Sequence, residues 1–239
     1  MPAKSAGLAA SGFLLSLCAA LLLGSCSTTD NAPDHPGASS SLIYDLEQRL
    51  LEARWIHFAF EIEARGALHA ELTGNVWLGR DGESRLTWSG WFAGREYNID
   101  LISDGSVLRE LGDSKATRAC PPDLHAAYVL GFTRMGLLHN IAVSTAGRAP
   151  DHGNGGVEEW VVLRRIRQGP TPSDTAFDVL VGGRQSAEAE LRLETNEEMI
   201  PRIRHQKVDF GSGRIMNVVE RYSQFTLSRS PSPQLFSSR

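Results

Sequence analysis

The stretch Trp55-Ile56-His57-Phe58-Ala59-Phe60-Glu61-Ile62-Glu63-Ala64-Arg65 decides the fold of this chain. Apolar side chains at every second position alternate with mainly polar ones. Successive side chains of a strand point to opposite faces, so this period of two predicts a strand with one buried face.

The same alternation recurs along much of the remaining chain, over residues 68–78, 84–92, 96–102, 107–111, 157–166, 176–181, 187–194, 203–210 and 214–227. Asp81-Gly82 and Asp104-Gly105 lie between such runs and are typical of tight hairpin turns, because glycine tolerates a positive φ. Pro201 is expected at a strand start, since proline donates no hydrogen bond to the ladder. Strands joined so closely must run antiparallel.

Two segments have helical spacing instead. A helix is predicted over 41–51, with Leu42, Leu46 and Leu50 on one face, and another over 123–140, which Gly131 and Gly136 are expected to weaken or split. The sequence therefore predicts one mainly β (α+β) domain over residues 42–228. It is a strongly curved antiparallel sheet or open half β-barrel of about ten strands, with an N-terminal helix and a mid-chain helical lid.

Residues 1–25 have the pattern of a lipoprotein signal peptide. One cation, Lys4, precedes an apolar run over 8–23, and Leu23-Gly24-Ser25-Cys26 follows as a lipobox. The run is short and interrupted for a transmembrane helix, and the thiol of Cys26 is expected to accept a diacylglycerol before cleavage, with palmitate among its acyl chains. The alternative is an ordinary signal peptide with a coincidental Cys26.

The segments that flank the domain have few residues to bury. Residues 26–41 are predicted to be the lipidated cysteine and a flexible tether, and residues 229–239 a disordered tail. With 24 basic and 28 acidic residues the chain has a net charge of −4, which argues against nucleic acid as a partner. Cys18 leaves with the leader and Cys26 carries lipid, so Cys120 has no partner for an intramolecular disulfide and is either a buried small side chain or a reactive thiol.

The sequence contains no recognisable catalytic motif, metal motif or phosphate loop, so we predict no enzyme activity, no metal and no cofactor. His57 and His69 with Glu61 or Glu71 are the nearest approach to a metal set, but the interpretation favoured is solvated side chains. Trp91 and Phe92, near Gly90 and Gly94, either contact lipid at a barrel rim or pack in the core. Four arginines on predicted strands or turns either meet a lipid headgroup or an acidic partner, or are simply solvated: Arg85, Arg95, Arg164 and Arg165.

Three further stretches carry a family resemblance: Gly74-Asn75-Val76-Trp77-Leu78-Gly79-Arg80, Ser84-Arg85-Leu86-Thr87-Trp88 and Leu101-Ile102-Ser103-Asp104-Gly105-Ser106-Val107-Leu108. With the order of elements and a closing hairpin over 201–227, the chain resembles the lipoprotein carriers and receptors of the bacterial outer membrane, LolA and LolB, and their mycobacterial lipid-carrying relatives. The resemblance implies an unclosed barrel whose helical lid covers acyl chains. Asp81-Gly82 and the glycine-rich loop over 142–156 depart from the family pattern.

The function hypothesis is a lipid-anchored protein that binds acyl chains, lipids or lipoproteins in an apolar cavity. The residues expected to line it are Phe58, Phe60, Ile62, Val76, Leu78, Leu86, Trp88, Ile99 and Leu101 on the sheet, with Leu124, Tyr128 and Phe132 on the lid. Ser27, rather than aspartate, follows the cysteine, which favours the outer membrane, facing the periplasm. The alternatives are a structural or interaction lipoprotein with a filled barrel and an envelope protein partner, and an enzyme assembled from scattered residues.

Replacing the predicted lipid acceptor tests the leader. Cys26→Ser is expected to abolish incorporation of labelled palmitate and to release the protein from the membrane fraction, because this one thiol carries the lipid. Cys120→Ser is the control and is expected to label normally. Retained labelling of Cys26→Ser would contradict the lipobox.

Overall fold

A computed structural model describes residues 42–111, 117–120, 124–145, 163–168, 174–181, 184–227 and 229–236. The predicted leader, Cys26 and the tether lie outside the described residues, as does the segment 157–162. The described elements are helices α1 (Leu42–Glu52), α2 (Leu124–Leu130) and α3 (Leu137–Thr145), a π-helical turn (Gly131–Met135), a 3₁₀ turn (Pro233–Phe236), and strands β1 (Trp55–Gly66), β2 (Ala70–Gly79), β3 (Glu83–Phe92), β4 (Arg95–Asp104), β5 (Val107–Leu111), β6 (Thr117–Ala119), β7 (Leu163–Gln168), β8 (Asp174–Val181), β9 (Arg184–Thr195), β10 (Pro201–Asp209) and β11 (Ile215–Leu227).

All eleven strands belong to one antiparallel sheet in the order β6-β5-β4-β3-β2-β1-β11-β10-β9-β8-β7. Each consecutive pair of strands within the two halves is a neighbour, and β1 pairs with β11 at the centre. The outermost described strands, β6 and β7, each have one neighbour, so the sheet is curved but open. The predicted fold class, a mainly β open half-barrel with a few helices, is confirmed.

One face of the sheet carries the core, as the alternation in β1 predicts. Ile56, Phe58, Phe60 and Ile62 are each 4% exposed or less, whereas Glu61 and Glu63 are exposed on the other face. The helices pack over the apolar face and complete a single large cluster of buried side chains. Each fully buried aliphatic or phenyl side chain contributes roughly 1.5–3 kcal/mol, so this face dominates the stability of the domain.

Three features differ from the sequence expectation. The additional strand β6 has only three residues, too few to show an alternating pattern. The predicted helix over 123–140 breaks at Gly136, as expected for one of its two glycines, but its second half continues beyond the predicted end to Thr145.

The third difference lies in the C-terminal tail, which was expected to be disordered. Residues Pro233–Phe236 form a 3₁₀ turn on the outer face of β3 and β4. Phe236 stacks on Trp55 with ring centroids 5.5 Å apart, and Arg85 Nη1 donates a hydrogen bond to the carbonyl oxygen of Leu235 at 2.9 Å. These contacts hold a segment whose composition alone gives no reason for order.

Gly90 lies where β3 approaches β2 closely, and its replacement by alanine tests this contact. Its φ is +131°, and an added Cβ would lie 2.1 Å from the carbonyl oxygen of Glu71. We expect Gly90→Ala to lower the free energy of unfolding in urea by about 3 kcal/mol or more, because the backbone strain is joined by a displaced strand. Gly94, with φ +82° and open space around it, is the control, and Gly94→Ala should cost about 1 kcal/mol. Equal losses in the two variants would contradict the close approach.

Candidate functional site

The structure brings the predicted cavity residues together. The sheet residues Phe58, Phe60, Ile62, Val76, Leu78, Leu86, Trp88 and Leu101 are buried and Ile99 is partly buried, all in one cluster with Leu124, Tyr128 and Phe132. The last three lie on α2 and the π turn, which together with α3 are called the lid (residues 124–145). Their role in binding a ligand stays a prediction.

The lid fills the space over the sheet with its own aromatic rings. Phe132 lies 5.3 Å from Phe58 and 5.1 Å from Tyr222, measured between ring centroids. A cavity between lid and sheet, lined in part by Leu50, Phe58 and Tyr128, has a volume of about 10 Å³. That is about enough for one water molecule, so an acyl chain enters this interior only if the lid moves.

A buried carboxylate joins the lid to α1. Glu47 accepts hydrogen bonds from Nε and Nη2 of Arg134, at 2.9 and 2.8 Å, and from Oγ1 of Thr133 at 3.0 Å. Burial lowers the pKa of Arg134, but the hydrogen bonds and charge of Glu47 outweigh it and the net pKa is raised. The paired fork geometry fixes the position of the π turn relative to α1.

A buried guanidinium joins the π turn to the sheet. Arg204 is 2% exposed, and its Nη1 donates to the carbonyl oxygens of Phe132 and Thr133 at 2.9 and 2.8 Å, while Nη2 donates to that of Arg134 at 2.7 Å. These carbonyls end the first helical segment of the lid, where backbone acceptors lack helical partners and the helix dipole favours a cation. The π turn exposes three of them to one side chain.

A buried carboxylate on the neighbouring strand, β11, caps the N-terminus of the second lid helix, α3. Glu220, 1% exposed, accepts the backbone N–H groups of Leu137 and Leu138 at 2.9 and 2.8 Å, and the hydroxyl of Tyr222 also donates to it. Glu220 stands opposite Arg204 in the β10–β11 register. Opposite charges thus lie side by side under the two helix ends that meet at Gly136.

Gly136 is the residue that this arrangement requires. Its φ is +91°, and a Cβ would lie 2.8 Å from Oε1 of Glu220 and 3.1 Å from Nε of Arg204. Its N–H donates back to the carbonyl oxygens of Gly131 and Phe132, at 3.0 and 3.2 Å. The contacts of Glu47, Arg204 and Glu220 with the lid are called the latch from here on.

Burial shifts the pKa values of two ionisable groups at the latch, Arg204 and Tyr222. Burial lowers the pKa of Arg204 below its ordinary value, although the neighbouring Glu220 carboxylate opposes this. Burial, and then the charge of Glu220, raises the pKa of Tyr222 well above its ordinary value, so its hydroxyl stays protonated and donates.

Sequence reasoning did not single out Glu47, Arg204 or Glu220. The signal available was a charged residue at an inward position of an alternating strand: Arg204 shares a face with Val208, and Glu220 with Val218 and Tyr222. Such a residue must find a buried partner, because an unpaired buried charge is strongly destabilising.

The two histidines considered as metal ligands from the sequence lie at opposite ends of β1. His57 stacks on Trp77 at one end of β1, with centroids 3.9 Å apart, whereas His69 lies in the turn at the other end and contacts Arg65. No metal-ligating cluster occurs among the described residues. Phe92 is buried against Trp88, while Trp91 points outward and is 44% exposed.

The remaining arginines and the lone thiol have local roles. Arg85 forms a paired hydrogen bond with Asp100, at 2.9 and 2.6 Å, on the outer face. Arg95 is exposed, and the side chains of Arg164 and Arg165 lie outside what the structure describes. Ser103 donates to Sγ of Cys120 at 3.2 Å, and burial raises the pKa of this half-buried thiol, which favours the unreactive interpretation.

Both Asp-Gly pairs are turns, as predicted. Gly82 and Gly105 have φ of +90° and +88°. Hydrogen bonds from the Ser106 hydroxyl and from the N–H groups of Val107 and Ser106 lower the pKa of Asp104 to about 2. The acid therefore serves the turn itself.

Solved structures that match this chain at low sequence identity include a LolA superfamily protein and a DUF1329 family protein. The sequence matches no known family model and no curated protein significantly. A LolA superfamily protein from Nitrosomonas europaea is 13% identical over 84% of this chain and 99% of its own, with a TM-score of 0.46. A DUF1329 family protein from Desulfovibrio piger is 8% identical over 82% of this chain and 95% of its own, with a TM-score of 0.25. At such values, function must be judged from the chain's own residues.

Among the described helices, none has the length and apolar character needed to cross a membrane.

Removing the cation of the latch tests its energetic weight. Arg204→Met leaves Glu220 buried without its neighbouring cation and removes the guanidinium donor from three buried carbonyl groups. We expect a loss of about 3–5 kcal/mol in the free energy of unfolding, with faster amide hydrogen exchange in residues 129–142. Arg202→Met is the control on the same strand, since the side chain of Arg202 is exposed, and it should change stability by less than about 0.5 kcal/mol. If both variants behaved alike, the latch would contribute nothing specific.

Proposed function

We propose that this chain is a lipid-anchored protein of the cell envelope that binds acyl chains, or lipoproteins through their acyl chains, between the sheet and the lid. Cys26 would hold it to the outer membrane on the periplasmic side. The observation that carries the proposal is an apolar concave face covered by a lid whose position is set by three buried polar groups. No catalysis and no cofactor belong to the proposed function.

The kind of contact on each part of the lid supports this proposal. Tyr128 and Phe132 meet the sheet through apolar contacts, which have little directionality, so an acyl chain can take the place of these rings. The contacts of Arg204 and Glu220, in contrast, are directional hydrogen bonds around Gly136. The lid can therefore turn about a fixed point at Gly136 while its apolar side chains leave the sheet.

The sequence resemblance to lipoprotein carriers and receptors agrees with such a lid. An anchor on Cys26 would correspond to a membrane-bound receptor rather than to a carrier that diffuses freely. The ligand would be neutral and apolar where it meets Phe58, Val76 and Leu86, because this part of the interior consists of hydrocarbon and aromatic groups.

One observation favours the alternative function. The space of about 10 Å³ under the lid is what a permanently filled barrel has, and such a protein would act through its surface on an envelope partner. The two functions differ in whether the lid opens.

Acyl binding to residues 28–239, which lack the lipid cysteine, separates them. A fluorescent fatty acid is expected to bind saturably with one-to-one stoichiometry. Glu47→Gln removes the charge that pairs with Arg134 and raises the open fraction, so apparent binding should tighten about fivefold, equivalent to roughly 1 kcal/mol of lost latch stability.

Glu52→Gln, an exposed change on the same helix, is the control and should bind like the unmodified protein. The absence of saturable binding in both the unmodified protein and Glu47→Gln would show a filled barrel and overturn the carrier function.

A further inference from the structure

The outer face of the sheet, opposite the lid, contains a groove of about 400 Å³. This volume lies in the range of small-molecule sites and far exceeds the space under the lid. Its floor consists of small uncharged polar side chains with hydroxyl or amide groups: Thr73, Asn75, Thr87, Ser89, Asn98 and Ser223.

The strand registers explain why the groove exists. Ser223, Ala59, Asn75 and Thr87 stand opposite one another across β11, β1, β2 and β3. Thr73, Ser89 and Asn98 form the next row, across β2, β3 and β4. The two rows overlap on β2 and β3 and together make a trough that runs across the strands, about 19 Å long at the usual spacing between strands. Glu61 occupies the β1 position of the second row.

Larger side chains form both walls. On one side the row of His57, Trp77 and Arg85 is raised by the stacked rings and by the 3₁₀ turn that Arg85 holds. On the other side the next row contains Glu71 and Trp91, which oppose each other in the β2–β3 register. The indole of Trp91 is 44% exposed and stands directly beyond Ser89.

The hydroxyl and amide groups of the floor indicate which class of ligand fits the groove. Hydroxyl and amide groups both donate and accept hydrogen bonds, and these six side chains form none with each other or with any other residue that the structure describes. Glu61 is the charged residue that lines the groove, and Arg85 in the wall is paired with Asp100, so the groove does not favour an anion. A polar floor also excludes an acyl chain, whose burial there would desolvate hydroxyl and amide groups without replacing their hydrogen bonds.

We infer that this groove binds an uncharged polysaccharide strand that lies across β11, β1, β2, β3 and β4. Each sugar hydroxyl donates and accepts, as the floor does, and the C–H face of a sugar ring packs against an exposed indole such as Trp91. The floor extends across five strands, a length that suits a linear chain better than a single sugar. The site is independent of the lid, since it occupies the opposite face of the sheet.

Titration of the purified ¹⁵N-labelled protein with two tetrasaccharides tests the inference. Chitotetraose represents N-acetylated glycans and maltotetraose represents plain glucans, so the pair distinguishes the two sources of this chemistry. Saturable shifts in the amide signals of Thr73, Thr87 and Ser89 and in the indole N–H signal of Trp91 are expected with at least one of them.

Asn98→Arg places a long cation on the groove floor and should weaken binding at least tenfold. Asn217→Arg is the matched control, because Asn217 is exposed on β11 and pairs with Arg65, two rows away from the floor. Ser89→Arg repeats the test at a second floor position in case Asn98→Arg fails to fold. Binding of the fluorescent fatty acid by Asn98→Arg should be unchanged.

The inference is overturned if neither tetrasaccharide shifts these signals at about 10 mM, a concentration at which a site with a Kd of about 1 mM is about 90% occupied. Shifts that Asn98→Arg and Ser89→Arg leave unaltered would overturn it as well, since they would locate the sugar elsewhere. Neither result bears on acyl binding under the lid.

Discussion

The buried pair of Arg204 and Glu220 is the constraint on which the helical layer depends. The two residues stand opposite each other on adjacent strands, and each satisfies the end of a different lid segment. An end of a helix buried without partners is strongly unfavourable, and a buried charge is too, so each removes the cost of the other. Because of this, the lid is positioned by the sheet at one point, Gly136, and elsewhere rests on it through apolar contacts.

The sheet itself follows from sequence alternation, and its two faces divide the molecule's chemistry. The inward positions of β1 to β4 are apolar and meet the lid, while the outward positions form the polar groove and its walls. The alternation of apolar and polar residues with a period of two therefore specifies two chemically different surfaces, for which we propose different ligands. Gly74 on β2 and Gly90 on β3 allow these two strands to lie unusually close. An added Cβ at either position would lie 2.1 Å from a carbonyl oxygen of the other strand.

Features that depend on neighbouring residues can be predicted from the sequence, whereas features that join residues far apart in the chain cannot. Alternation and Asp-Gly turns locate β1 to β5 within a few residues because hairpins are local. The break of the lid at Gly136 is likewise local. The latch is not, because alternation places Arg204 on the inward face of its strand but does not show which distant residues it contacts. The same holds for the groove, whose rows join residues as distant as Asn75 and Ser223.

The pairing of β1 with β11 determines when the molecule can finish folding. These strands lie at the centre of the sheet, yet one begins at Trp55 and the other ends at Leu227. Until the last strand has emerged, β1 has an open edge and the apolar face beside it is incomplete, and contacts so distant in sequence form slowly. Two half-sheets, β1 to β6 and β7 to β11, can each assemble from hairpins, but their joining waits for the whole chain. A chain that is synthesised from its N-terminus therefore exposes its most apolar strand edge for longest, so this topology requires that strand to be protected during synthesis.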